Sequence, residues 1–390
     1  MEVLKSVIDQ GKNIISSHGS GVLVFCISLM VFVSIMILGI QTDIQTHIIR
    51  NSYPNPSPGL MPNFLFYWAV WLLSFVLRSK MLIGGVVAII LALAVLWKFF
   101  LSSRIISTDL NDSEKAPLES WVRFSSVALI FLFSLPVDLN IQHYYLGQFP
   151  ANIWHNSTTI VVMPFVILAF DSCCQYFTNS DNKSLRRLFL WSILIYIIKP
   201  SILPILVIVF PVFTLVQYGF KRPFVLSLIY GAFFGALLLL PMLWMQSGGT
   251  GRNEGGGLEF ALFKVWSLYS NNYWASILAS LLFPVVCLIL YLKRVIRDVS
   301  LMFSWAIWIL SFLLFAFVNE TGSSLKAGNF GWQVIMATYL LFLTNLVFFN
   351  RIRAGREKVF WKERVVVSIF GLHLISGMVY LFKMMILGYG

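Results

Sequence analysis

Charge is what this sequence lacks most. Of its 390 residues, 11% are Asp, Glu, Lys or Arg, against about 25% in a soluble domain. Apolar residues make up 58% instead, and several uncharged runs of roughly 20 residues are each long enough to cross a ~30 Å hydrocarbon core. That combination excludes an ordinary soluble domain. Cysteine is also scarce. Cys26, Cys173, Cys174 and Cys287 all fall inside apolar runs, with spacing that suits neither a zinc site nor a disulfide framework. No Walker or dinucleotide glycine motif occurs, and no internal repeat argues for a transporter built from two related halves. No cleavable signal peptide is expected, because the opening stretch "MEVLKSVIDQGKNIISSHGS" is polar and amphipathic and no small-residue cleavage site follows the next run.

What is present is a series of apolar runs. They cover 22–40, 64–77, 81–101, 121–136, 158–177, 188–198, 201–217, 224–245, 273–292, 300–318, 332–350 and 365–388. Two are short. The run 64–77 follows "PNPSPGLMPN", and 188–198 ends at Lys199–Pro200. Cytoplasmic loops of membrane proteins are enriched in Lys and Arg, so the charges decide whether 64–77 crosses. If it lies along the outer surface, 20 of the 28 Lys and Arg fall inside. If it spans, the balance reverses. The reading adopted is an all-α polytopic bundle with about 11 crossings, an inside N-terminus and a juxtamembrane helix over 61–77. The whole chain, 1–390, forms one integral membrane domain. The net charge of +12 then reflects orientation and not nucleic-acid binding.

This topology puts four polar stretches on the outer face: 41–80, 137–157, 246–272 and 319–331. The inner loops are short and basic, so chemistry, if any, belongs outside. The outer carboxylates are Asp43, Asp138, Glu254, Glu259 and Glu320, and the outer histidines are His47, His143 and His155. Asp43 and His47 share a helix face if the first helix continues by a turn or two, since positions four apart are neighbours. A partly desolvated carboxylate there suits a general base for a hydroxyl nucleophile; a solvated polar helix end is the other reading. The stretch "HYYLGQFPANIWHNSTTI" gathers His143, Tyr145, Gln148, His155 and Asn156 without a charge, a donor set that fits sugar hydroxyls or a phosphate. Its other reading is a solvated loop with an aromatic belt.

Lys199 stands before a proline at a helix break, where it either holds a lipid phosphate or snorkels to the interface. The glycine-rich "GGTGRNEGGG" with Arg252 reads as a mobile lid, and Glu320 and Asn329 mark the entrance to a late helix. The sequons at Asn111, Asn156, Asn182 and Asn319 matter only in a glycosylating host.

The pattern resembles the GT-C superfamily of membrane glycosyltransferases, in its bacterial branch without a large C-terminal periplasmic domain. The resemblance rests on "QTDIQTHIIR" after the first helix, a juxtamembrane helix in the first outer loop, the "GQ…N.WHN" stretch before a helix, and the "KP" break. It is architectural and covers nearly the whole chain. It implies a polyprenyl-phosphate-linked sugar donor, a glycan or lipid acceptor, and an inverting transfer with Asp43 as base toward the acceptor hydroxyl. Lys199, His155 and Arg252 would help the departing phosphate. The aromatic run 64–77 would border the groove through which the polyprenyl tail enters. Ile44 follows Asp43 where some members carry a second acid, so no metal and no other cofactor is expected. The implied setting is a bacterial inner membrane with the site on the periplasmic side. Two rivals are an envelope polysaccharide polymerase or ligase, for which Arg252 is the one loop arginine, and a lipid or solute transporter, which would need ionisable residues deep in the bundle.

Overall fold

The structure, a computed structural model, describes residues 2–40, 42–45, 48, 64–74, 79–108, 112–137, 147–246, 257–354 and 360–387. Helices dominate it. In chain order they are α1 (Glu2–Ile37), α2 (Phe64–Ser74), α3 (Lys80–Thr108), α4 (Asp112–Phe131), α5 (Ser157–Asn179), α6 (Asn182–Ile198), α7 (Leu203–Tyr218), α8 (Arg222–Gln246), α9 (Tyr273–Val295), α10 (Val299–Phe317), α11 (Trp332–Arg353) and α12 (Trp361–Leu387). Strands β1 (Leu258–Phe260) and β2 (Val318–Glu320) pair antiparallel, with Glu259 opposite Asn319.

Among the described residues, nine helices are long and apolar enough to cross a membrane. Side chains such as Val216, Ile289 and Phe382 point outward into the surroundings, which suits a hydrocarbon solvent. The chain is a multi-pass, all-α membrane protein. Nine of the eleven expected crossings correspond to those helices; the runs 121–136 and 188–198 differ. α6 is a complete but short helix of 17 residues. Of the run 64–77, the described residues form the 11-residue α2, about 16 Å at 1.5 Å per residue. It packs against α3 and α6.

The run 121–136 is a helix for only part of its length. α4 stops at Phe131, and residues 132–137 are non-helical yet buried as far as Ser134. Pro136 lacks an N–H and disfavours helix at Leu135. Irregular backbone at membrane depth survives only where protein groups satisfy it, and here they do. Phe133 N donates to His373 O (3.2 Å), Leu135 N to Ala279 O (3.0 Å), and Ser376 Oγ to Ser134 O. Gln148 Nε2 donates to Leu135 O. Gly377 on α12 lets this strand in, since a Cβ there would sit 1.6 Å from Phe131 O.

α11 is the axis of the bundle, its spanning stretch wholly buried. Two large apolar clusters divide the interior. One gathers α5, α7, α10 and α11; the other joins α1 and α3 to Phe131, Phe133, Trp154 and Tyr380. The buried polar residues described next lie where those clusters meet.

A candidate functional site between two apolar clusters

α1 does not continue to Asp43. It ends at Gly39, whose φ of +65° is a left-handed conformation that suits glycine. Gly39 N donates to Met36 O (3.3 Å) and Ile40 N to Ile35 O (3.1 Å), the pair of bonds that defines a Schellman stop. The chain then turns back, burying Ile40, Ile44 and Ile48. The condition set on the sequence, that the first helix continues to Asp43, is not met: Asp43 lies on a separate helical turn that begins after Gly39. His47 lies outside the described residues, as do His143, Tyr145 and Arg252 with most of the glycine-rich loop.

That turn places Asp43 against the start of α5. Asn156 Nδ2 donates to Asp43 Oδ2 at 2.6 Å. Asn156 is also the N-cap of α5. Its Oδ1 accepts from Thr159 N (2.9 Å) and from the Thr158 hydroxyl (3.1 Å). An N-capping amide satisfies one of the helix's free N–H groups, and the positive end of the helix dipole favours a nearby carboxylate. Here the sequence folds as its residue types dictate: a capping residue, three hydroxyl residues, then an apolar helix.

Lys199 completes the group. It terminates α6, outside both flanking helices, with Pro200 opening a short 3₁₀ turn. Its Nζ donates to Asn156 Oδ1 (3.2 Å) and Thr158 Oγ1 (3.3 Å), and lies 4.5 Å from the centre of the Trp332 ring. The side chain does not snorkel, being only 7% exposed. Burial pulls its pKa down to about 7, against the opposing pull of the Asp43 charge. The ammonium is thus poised to lose or keep its proton near neutrality.

His155 borders the same place. Its Nδ1 lies 3.4 Å from the Tyr380 hydroxyl, and its ring centre is 5.9 Å from that of Trp332. Trp332 therefore touches both the histidine and the lysine. Burial of Asn156 also removes it as a glycan acceptor, and Asn319, fully buried with its amide bound to Val265 N and Ala261 O, is removed likewise.

The remaining predicted residues lie apart. Gln148 serves the irregular strand, as described. Glu320, the last residue of β2, pairs with Asn329 at 2.6 Å, and burial raises the Glu320 carboxyl above its ordinary range. Neither makes a hydrogen bond to Asp43, Asn156 or Lys199.

Sequence reasoning missed Lys98, which it counted among the inner-face charges. Lys98 lies inside α3, 7% exposed. Its Nζ donates to Asn152 Oδ1 at 2.6 Å and sits 3.6 Å from the centre of the Tyr339 ring. The signal was available: Lys98 stands within "LWKFFL", with apolar residues on both sides.

Asp43, Asn156 and Lys199 give a carboxylate able to accept a proton, a cation able to hold an anion, and a neutral spacer between them. No family model matches this chain, and no curated protein matches its sequence.

Proposed function

We propose that the protein is a membrane glycosyltransferase of the GT-C kind, acting on a polyprenyl-phosphate-linked sugar at the outer face of a bacterial inner membrane. The observation that carries this reading is the hydrogen-bonded chain Asp43–Asn156–Lys199. Displacement at a glycosyl phosphate needs a base on one side and charge stabilisation on the other, and this chain holds one of each.

In the proposed step, Asp43 takes the proton of the acceptor hydroxyl as its oxygen bonds to the anomeric carbon. The bond from that carbon to the phosphate oxygen breaks, and its electron pair leaves with the polyprenyl phosphate. Lys199 faces the negative charge developing there, with His155 beside it. Attack opposite to departure inverts the anomeric centre. Fixed charges in a desolvated site act more strongly than in water.

The transporter reading has one observation in its favour, Lys98 inside a spanning helix. The space beside it is about 20 Å³, room for a water molecule but for no solute or headgroup. The glycosyltransferase reading therefore stands as the preferred one. Its test is Asp43→Asn in cells, with analysis of envelope glycans and lipid-linked intermediates. Accumulated lipid-linked sugar with loss of one glycan modification is the expected result; unchanged glycans would remove Asp43 as the base.

A further inference from the structure

The segment before α5 carries two amide–ammonium couples four residues apart. Asn156 meets Lys199, and Asn152 meets Lys98. The first belongs to the candidate site. The second is unexplained by it, and a lysine within a spanning helix is costly enough to need a reason.

The surroundings of Lys98 show how its charge is accommodated. Asn152 Nδ2 donates to Leu129 O (2.8 Å) and Leu132 O (3.0 Å), the carbonyls left over where α4 stops. Those two bonds fix which way the amide faces, so Oδ1 must point at Lys98. The ammonium is thereby coupled through one amide to the negative end of a helix dipole. Tyr339 presents its ring face to the same amino group, 3.6 Å from the ring centre. Its hydroxyl is held 2.7 Å from Ser102 Oγ, which itself donates to Lys98 O (2.8 Å).

Residues 149–156 are buried throughout but form no helix or strand. A segment without a hydrogen-bond ladder takes its position from its side chains. Asn152, with three hydrogen bonds, ties the middle of the segment to α3 and α4, and Trp154 adds ring contacts to Phe131 (5.7 Å) and Phe32 (5.6 Å). Asn156 follows at the end of this anchored stretch.

We propose that Lys98 is a positioning residue: through Asn152 it fixes the 149–156 segment and so sets where Asn156 meets Asp43. The geometric part stands alone, while any effect on turnover rests on the glycosyltransferase reading. Lys98 touches no substrate; it holds the segment that holds the site.

The test uses the full chain in membranes, with Cys26, Cys173, Cys174 and Cys287 replaced by Ala. Cysteines at Asp43 and Asn156 report proximity by oxidative cross-linking. The cross-link should form readily with Lys98 present and be lost with Lys98→Met, which keeps the length but removes the donor. Ser102→Ala, a loss in the same layer, should leave it intact. If Lys98→Met does not accumulate, Lys98→Gln carries the test, with reduced cross-linking expected. Unchanged cross-linking in whichever Lys98 variant is measured would overturn the proposal, as would equal loss in Ser102→Ala. In the cysteine-intact protein, Lys98→Met should lower kcat about 100-fold with little change in KM, as expected of a misplaced reacting group. Loss of the cross-link together with activity that survives Asp43→Asn would keep the positioning role and sink the glycosyltransferase reading.

Discussion

Asp43 and Lys199 hold opposite ends of one side-chain amide, and not each other: Asn156 gives its Nδ2 to the carboxylate and its Oδ1 to the ammonium. A direct ion pair would quench both charges. With the amide interposed, each keeps capacity for a ligand, the carboxylate for a proton and the ammonium for an anion.

Asn156→Ala should damage both stability and turnover. It removes an N-cap, costing about 1 kcal/mol, and strands buried partners at about 1–3 kcal/mol. Thermal denaturation in detergent would show the loss. Asn156→Asp should recover the cap but place a second carboxylate against Asp43, so stability would return further than activity. Equal recovery of both would contradict the spacer role.

Lys199 gives a pH dependence. Burial lowers its pKa to about 7, so the ammonium is populated below that pH and neutral above it. Binding of a soluble polyprenyl-phosphate analogue should therefore weaken as pH rises through about 7. The bound anion raises the lysine pKa, so the midpoint in the complex should be higher than in the free protein. Lys199→Met should abolish this limb and Lys199→Arg should flatten it. Titration calorimetry across pH 6–9 is the measurement, and a wild-type profile identical to Lys199→Met would refute the assignment.

Gly377→Ala should be among the most destructive single substitutions, since its Cβ would collide with Phe131 O at 1.6 Å. A backbone clash of this kind belongs with losses above about 4 kcal/mol. Gly371→Ala on the same helix meets nothing within 4 Å and should be tolerated. Folded yield of the two variants, compared by size-exclusion profile, checks the pair.

Asp43→Asn separates chemistry from architecture. The amide is nearly isosteric, so the variant should fold and insert at normal levels while losing most of its transfer activity, about 10²–10⁴-fold for a general base. Immunoblotting for abundance and glycan analysis for activity would be read together.

Much of this was legible before any coordinates. Long apolar runs declare themselves by length alone, and Asp43, Asn156 and Lys199 each stood out as polar residues at run ends. What the sequence could not display was that one amide joins them, because that depends on the chain reversing after Gly39. A Schellman stop is legible only as a lone glycine, and Gly39 is one of 25 along the chain. The helix break at Phe131 was hidden similarly: "FLFSLP" is apolar enough to pass for a spanning helix, and the groups that satisfy its freed backbone lie far along the chain. The burial of Lys98 was hidden because a lysine near a run's end looks like a boundary charge. Only its contact with Asn152 reveals a buried one.

The strand at 132–137 also carries an order of events. Its backbone partners His373 and Ser376, the ring of Tyr380 stacked 4.0 Å from Phe133, and the opening left by Gly377 all belong to α12. Without α12 the Phe133 N–H and the Ser134 carbonyl lose their partners, which hydrocarbon cannot replace, so this stretch takes its final shape only once α12 packs against it. Asn152 grips the carbonyl of Leu132 at the root of that strand. The Leu132 end of the candidate site is thus shaped by α12, through its contacts with Phe133 and Ser134.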